Sequence, residues 1–208
     1  YFDGNRTAHI VPEQDVIIEP NFSITNGKGN FDSWVMITPD GTKYHFGGSN
    51  ATETQQTYND ANGETGHLLN SSWQLTKIES ADGIHEINLT YVTENYTAVN
   101  LSGQSAAISA YNICVPIGGG SYGLTLNQYG VSNFTYTTTV GKRLSQISTP
   151  TSQVNFIASS NSRQDIPVGN HSYNAPTTGG ASSLSSINVS TSSNCKKFEF
   201  QTSYFNSN

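Results

Sequence analysis

One motif in the sequence is typical of a catalytic nucleophile. Residues 119–123, GGSYG, match G-x-S-x-G, which lifts a serine onto a sharp turn between a strand and a helix. The following segment, 124–130, has no helical periodicity and ends in turn residues. None of the histidines lies in a recognisable triad context: they are His9, His45, His67, His85 and His171. We therefore interpret 119–123 as a glycine-rich turn and expect no catalytic residue and no enzymatic activity.

Metal-binding spacing is also missing from the sequence. The histidines lack H-x-x-x-H spacing, and there is no C-x-x-C pair. Two groups of acids have the chemistry to bind Ca²⁺ in an exported protein, but no D-x-D-x-D-G loop accompanies them. These groups are Asp3, Glu13 and Asp15, and Asp60 and Glu64. We interpret them as solvated loop residues, and we expect neither a metal nor a cofactor.

The two cysteines, Cys114 and Cys195, leave two alternatives open. In an exported protein they can pair, which would tie the middle of the chain to its end. Both also lie in apolar or strand-like sequence, where free thiols are often buried. The two interpretations carry equal weight.

Carbohydrate chemistry is suggested by the aromatic residues and by ten N-x-S/T sequons. The 11 Tyr, 9 Phe and 2 Trp have the composition of a sugar-binding platform, but most alternate in phase with strand-like segments, which favours core packing. The sequons begin at Asn5, Asn21, Asn50, Asn70, Asn88, Asn95, Asn100, Asn133, Asn170 and Asn188. They would suit a glycosylated surface protein. We interpret most of them as by-products of strands rich in Asn and Thr.

Composition and charge argue against nucleic acid and membranes as partners of this protein. The 208 residues carry a net charge of −6, and charged residues make up 12% of the chain, about half the usual share. Basic residues adjoin only at Lys142-Arg143 and Lys196-Lys197, so we expect neither nucleic acid nor an anionic membrane surface as a partner. No apolar run reaches transmembrane length, so we expect no membrane insertion. Abundant Asn, Ser, Thr and Gly are typical of secreted β proteins.

The elements that must position these residues are β-hairpins. The clearest spans residues 73–91, where a central Asp-Gly dipeptide provides the turn. Its return arm alternates Ile87, Leu89 and Tyr91 with polar residues, as in a half-buried strand. The same plan recurs at 34–48, 141–159 and 182–204, and three of the four copies open with Leu-x-x-Ile. A single hairpin is only marginally stable in water, because it cannot bury its apolar face alone. Repeated hairpins therefore predict one extended sheet in which they pair edge to edge.

We therefore predict an all-β fold in which successive antiparallel hairpins form an extended, curved, shell-like sheet. The alternative is a β-sandwich. Residues 1–208 are expected to form a single segment. Its parts are lead-in strands at 1–30, two hairpins and an irregular middle at 31–140, and two further hairpins at 141–208. In the lead-in we expect a short strand at 10–12, and we expect 22–24 to form a hairpin with 34–37.

The connections between hairpins are expected to be irregular. Residues 47–72 and 160–181 are polar and turn-rich, which predicts surface loops. In the segment 92–140 we expect short strands, including one near Ile108 and a separate hairpin around Tyr129-Gly130. The last strand is predicted at 197–204, with an edge that neither charge nor proline blocks in its later part.

Four segments resemble Rhs-like proteins, the Rhs/YD-repeat family. ITPDGTKYHFGG, SSWQLTKIESADGIHEINLTY, KRLSQISTPTSQVNFIASSNSRQDI and LSSINVSTSSNCKKFEFQTSYF resemble, in that order, the region upstream of the YD repeats in large surface-secreted bacterial members. They cover 80 of the 208 residues, about two fifths of the chain. The Tyr-Asp dipeptide of the repeat is missing, since the return arms end Tyr91-Val92 and Tyr204-Phe205. That departure fits a position upstream of the repeats.

The resemblance implies a fragment of a larger exported protein, secreted or displayed at the cell surface. In that family a strip of hairpins encloses a C-terminal toxin or effector, and the self-cleaving and toxic residues lie downstream, so none is carried over. The implied partners are the remainder of the same polypeptide or shell, and a secretion or carrier protein. The alternatives are a stand-alone cell-surface adhesin or carbohydrate-binding β-sandwich, and, third, a serine hydrolase built on Ser121.

Overall fold

The computed structural model contains twelve strands that share one sheet. It describes Asp3, Asn5 and residues 7–25, 28–59, 64–110, 126–163 and 180–204. The strands are β1 (Ile17–Thr25), β2 (Lys28–Ile37), β3 (Lys43–Gly47), β4 (Thr52–Asn59), β5 (Glu64–Thr65), β6 (Leu69–Trp73), β7 (Leu75–Glu79), β8 (Glu86–Ala110), β9 (Leu126–Ser148), β10 (Ser152–Ser162), β11 (Ser182–Thr191) and β12 (Cys195–Glu199). No helix occurs in these ranges.

Nine strands follow one another across the sheet almost in chain order. The order is β1-β2-β3-β7-β8-β9-β10-β11-β12, and every pair is antiparallel. This confirms the predicted all-β fold of successive hairpins that pair in sequence order. The sheet is open, and the described residues contain no second sheet for a sandwich to pack against.

All four predicted hairpins are present. In the first, Ile37 pairs with Lys43 next to the turn. In the second, Ile78 pairs with Ile87. In the third, Ile147 pairs with Val154, and in the fourth, Ser190 pairs with Cys195. The local turn chemistry and the period-2 alternation therefore specified both the pairs and their registers.

The registers give the sheet one apolar and one polar face, because direct cross-strand partners lie on the same face. The apolar face carries Met36, Tyr44, Ile78 and Ile87 across β2 to β8, and Leu89, Ile147, Val154 and Val189 across β8 to β11. The row beside it on the other face is Val35, His45, Lys77, Asn88, Ser148, Gln153 and Ser190. The apolar side chains are only half-buried or exposed, and Ile87 keeps 37% of its surface.

The turn of each of the four predicted hairpins opens with a hydroxyl residue, a regularity that the sequence pattern alone did not reveal. The backbone N–H of this residue donates to the carbonyl that closes the turn, as from Thr149 to Ser152 and from Thr191 to Asn194, both at 2.8 Å. The equivalent residues in the first two turns are Thr38 and Ser80. Their hydroxyls donate to, or accept from, groups inside the turn, as in ST- and Asx-turns. A Ser or Thr at the end of the first arm is thus part of the repeat.

In the first two turns an aspartate completes this network. The Thr38 hydroxyl and the Thr42 N–H both donate to Asp40, and they lower the pKa of its carboxyl. The Ser80 hydroxyl, followed by the Ile84 N–H, does the same for the pKa of Asp82. Both carboxylates are therefore held ionised within their turns.

The prediction of a surface loop at 47–72 is wrong. β4, β5 and all of β6 except Trp73 lie within this segment, and β4 pairs with β6 on one side and with β9 on the other. Gln74 separates β6 from β7: its N–H donates to the Ala51 carbonyl at 2.8 Å, and its carbonyl accepts the Gly47 N–H at 2.9 Å. β4 is polar in sequence, and it is a strand because both of its edges are paired.

The predicted short strands within 92–140 are also wrong. β8 and β9 form one long antiparallel pair that extends to Ala110 and Leu126, so Ile108 continues β8. Tyr129 and Gly130 lie inside β9 instead of in a turn. Bulges at Thr90/Tyr91 and Leu101/Gly103 absorb the irregular sequence without ending the ladder. The glycine-rich segment 115–120 lies outside the described residues, as does most of the predicted connection 160–181.

The lead-in forms a hairpin of its own, as predicted, but in a different register. Phe22 pairs with Phe31, and the segment 34–37 pairs with 17–20 instead of with 22–24. The prediction of a strand at 10–12 is wrong, since only Ala8 makes a bridge there. Pro20 lies in β1, which is an edge strand, where a missing N–H is tolerated.

Few side chains are fully buried among the described residues, and several of them lie near the pairing of β4 with β9. Among the described residues, Ala51, Tyr136 and Ala181 are the only buried apolar side chains. Thr139 is 1% exposed on β9, opposite Gln55 of β4. The sheet therefore depends on backbone pairing more than on a packed core.

Substitution of Gly47 tests how closely the connection between β3 and β4 is packed. The φ of Gly47 is +83°, and an added Cβ would lie 2.6 Å from both the Asp32 carbonyl oxygen and Trp73 Cδ1. Gly48 has a similar φ of +91° with nothing within 4 Å of such a Cβ, so it is a matched control. We expect Gly47→Ala to lower the free energy of unfolding by about 3 kcal/mol and Gly48→Ala by about 1 kcal/mol. Urea denaturation measures both, and equal losses would contradict the close contact.

Candidate functional site

The serine motif at 119–123 and His171 lie outside the described residues. Of the other histidines, His9 Nε2 lies 3.1 Å from Asp3, and His45 Nε2 lies 3.7 Å from Glu79. His67 and His85 are exposed. In the part of the chain that the structure describes, no three His, Cys, Asp or Glu side chains gather as metal ligands would. The candidates that the structure describes are therefore not brought together into one centre.

Asp3 already has its partners within the lead-in. Its carboxylate accepts the N–H groups of Thr7 at 2.8 Å and of Asn5 at 2.9 Å. The Thr7 N–H, followed by His9, lowers the pKa of Asp3. Glu13 and Asp15 are exposed, and Asp60 lies outside the described residues. The geometry at Asp3 is that of a carboxylate stabilising a local turn.

A charge cluster lies on the polar face across β3, β7 and β8. Lys77 Nζ contacts Glu79 at 2.9 Å and Glu86 at 3.0 Å. The hydrogen bonds that Lys77 donates to these two carboxylates raise the pKa of Lys77 and lower the pKa of both acids. A lysine held in its cationic form is a poor base or nucleophile. The cluster therefore serves to link neighbouring strands.

A second polar cluster fixes the point where β9 changes partners from β10 to β4. Glu94 Oε1 accepts Arg143 Nε at 3.2 Å and the Ser182 N–H at 3.0 Å. Glu53 Oε1 accepts the Lys142 N–H at 2.9 Å. The Arg143 guanidinium thus contacts an acid of the sheet, whereas the Lys142 ammonium donates to the Thr93 hydroxyl at 3.1 Å.

The aromatic residues near the start of the sheet pack against one another. Trp73 Nε1 donates to the Phe31 carbonyl at 2.9 Å, and the two rings lie 4.8 Å apart. Trp34 stacks on Phe46 with ring centroids 4.0 Å apart and planes inclined by 8°. Trp73 is half-buried. Rings engaged with each other in this way are less available to stack on a sugar.

Several sequon asparagines are engaged within the sheet. Asn70 Nδ2 donates to the Phe31 carbonyl at 2.9 Å, and Asn88 Nδ2 donates to Glu86 at 3.0 Å. Asn188 lies between partner strands with its Oδ1 buried. These contacts favour the interpretation of such sequons as by-products of polar strands. Asn5, Asn50 and Asn95 are exposed.

Cys195 has a free, exposed thiol at the start of β12. Of the two alternatives, the buried free thiol is wrong for Cys195, because β12 is an edge strand with few neighbours. Cys114 lies outside the described residues, so their pairing stays a prediction.

The two ends of the sheet differ in their chemistry. At one end β1 carries Pro20. At the other end β12 pairs only with β11 among the described residues, and it ends at Glu199 instead of continuing to residue 204 as predicted. Phe198 keeps 52% of its surface and Phe200 keeps 47%. The edge of β12 is thus an accessible strand edge beside exposed aromatic rings.

Trp73 tests whether the aromatic cluster packs or presents a binding surface. We expect Trp73→Ala to lower the free energy of unfolding by about 3 kcal/mol, because the ring contacts and the hydrogen bond are both lost. Trp73→Phe keeps an aromatic ring and is expected to cost about 1 kcal/mol. Guanidinium denaturation measures both variants. A loss below about 1 kcal/mol for Trp73→Ala would instead indicate a ring free to bind sugars.

Comparison with known proteins adds no relative: no protein-family model, curated protein or solved structure matches the chain. No helix among the described residues is both long and apolar enough to cross a membrane. The resemblance to Rhs-like proteins therefore depends on the four hairpin segments and their order.

Proposed function

We propose that this chain is a non-catalytic structural segment of an exported, Rhs-like protein. In this role it contributes strands to a β-sheet shell that encloses or displays a C-terminal toxin or effector. The observation that carries the proposal is the strand order, in which the four repeated hairpins lie side by side in one open antiparallel sheet. A strip built this way can be extended by adding further hairpins at its edge.

The unequal faces of the sheet support a role as one wall of a larger assembly. One face is apolar from β2 to β11, yet its side chains are only half-buried or exposed. An apolar face of this extent is stabilised when another layer or a cargo covers it. The opposite face carries the Lys77 cluster, which suits contact with water.

The described polar clusters support a structural role as well. The Lys77 cluster joins the two arms of one hairpin, and the Glu94–Arg143 cluster joins residues that are 49 and 88 positions apart in the sequence. The partners in this proposal are the remainder of the same polypeptide or shell, and a secretion or carrier protein. The location is extracellular or at the cell surface, with neither nucleic acid nor membrane insertion involved.

The parent reading frame tests the proposed family directly. We expect Tyr-Asp repeats downstream of residue 208 at a spacing of about 20 residues, because the segment resembles the region before such repeats. Sequencing the parent gene checks this. A stop codon soon after Asn208, with no repeats, would instead favour a stand-alone adhesin.

Ser121 tests the non-catalytic part of the proposal. We expect a fluorophosphonate probe to leave the folded chain unlabelled, because G-x-S-x-G without a following helix does not activate its serine. Mass spectrometry of the treated protein measures labelling, and Ser121→Ala is the matched control. Labelling that disappears in Ser121→Ala would contradict the proposal and favour a hydrolase.

A further inference from the structure

The free edge of β12 has a defined pattern of outward-facing backbone groups. The Phe200 N–H donates to the Ser185 carbonyl at 2.9 Å, so residue 200 directs its peptide groups towards β11. Alternate residues of an antiparallel strand direct these groups to opposite sides. Lys197 and Glu199 therefore direct theirs to the free edge, where the described part of the chain provides no partner.

We propose that this edge pairs antiparallel with β12 of a second copy of the chain, about a two-fold axis at Phe198. In this register Lys197 of each copy lies opposite Glu199 of the other, and these are the residues whose peptide groups face outward. The two Phe198 rings lie opposite each other on the apolar face. The hydrogen-bonded sheet then continues from one copy into the other, with its apolar face and its polar face each on the same side in both copies.

Charge selects this register over its neighbours. Within one chain Lys197 Nζ already lies 2.6 Å from Glu199 Oε1, so these two side chains share a face. In the proposed pair the four charges alternate in sign around a square. A shift of two residues keeps the hydrogen bonds possible, but it places either Lys197 opposite Lys197 or Glu199 opposite Glu199. Like charges directly opposite each other are destabilising.

The edge of β1 does not offer the same pairing. Pro20 removes one N–H from that strand, and a bulge between Asn21 and Phe22 interrupts its register. Proline and bulges are common protections of edge strands. β12 contains neither, and its exposed Phe198 adds apolar area at the axis. A closed two-fold dimer through β12 therefore fits the chain better than an open chain of copies.

Charge reversal tests this inference, which uses the free edge invoked in the proposed function but does not depend on the Rhs resemblance. Sedimentation of the 208-residue chain in reducing buffer, where exposed Cys195 cannot cross-link copies, should show a monomer–dimer equilibrium. Lys197→Glu and Glu199→Lys should each weaken the dimer about tenfold or more, because both opposed pairs become like-charged. The double exchange, Lys197→Glu with Glu199→Lys, should restore it.

Mixing the two single variants gives the sharpest outcome. Lys197→Glu and Glu199→Lys chains are complementary to each other in the proposed register, so the mixture should form heterodimers while each variant alone stays largely monomeric. Glu19→Lys on β1 is the control and should leave the wild-type equilibrium unchanged. A wild-type monomer at about 100 μM, association insensitive to the reversals, or no heterodimer in the mixture would each overturn the inference. None of these results alters the expected downstream repeats, so the two proposals can fail separately.

Discussion

Antiparallel backbone pairing in a single layer is the interaction on which this structure depends. A ladder satisfies the peptide groups of each strand, including those of strands with few apolar side chains such as β4. Complete apolar burial is limited to Ala51, Tyr136 and Ala181 among the described residues. The free energy that a conventional domain gains from its core must therefore come largely from cross-strand pairs in this sheet. Incomplete burial and an open sheet are two consequences of the same single-layer design.

The hairpins were predictable because the information that specifies them is local. In each copy, the alternation of apolar and polar residues determines which side chains share a face. The register is set by the turn, in which the N–H of a Ser or Thr donates to the closing carbonyl. The network around Asp82 shows why the Asp-Gly dipeptide was informative: the carboxylate accepts the Ile84 N–H at 3.0 Å and holds the turn. The same locality extends to the order of the copies, since neighbouring antiparallel hairpins need only short connections.

The remaining features were not predictable because they depend on distant partners. β4 pairs with β9, which lies about 80 residues away in the sequence. The Thr, Gln and Glu residues of β4 have no pattern that predicts a strand or its partner. Gly130 suggested a turn, but the long β8–β9 ladder holds it within a strand. The Lys77 cluster depends on cross-strand register, because its members become neighbours only when β7 and β8 pair as Ile78 with Ile87. The exposure of Cys195 similarly required knowledge that β12 ends the sheet.

The free edge of β12 connects the two proposals through competition for one set of backbone groups. In a longer polypeptide, an additional strand would be tethered beside β12 at an effective concentration near the millimolar range for a short linker. A second copy at micromolar concentration would compete poorly with that strand unless its affinity were much higher. The edge of β12 can therefore pair either with a second copy or with a further strand of the same chain. A strand tethered beyond residue 208 would favour pairing within the chain. The alternation of Lys197 and Glu199 restricts the register of either partner, because any strand laid against β12 must avoid placing like charges opposite them.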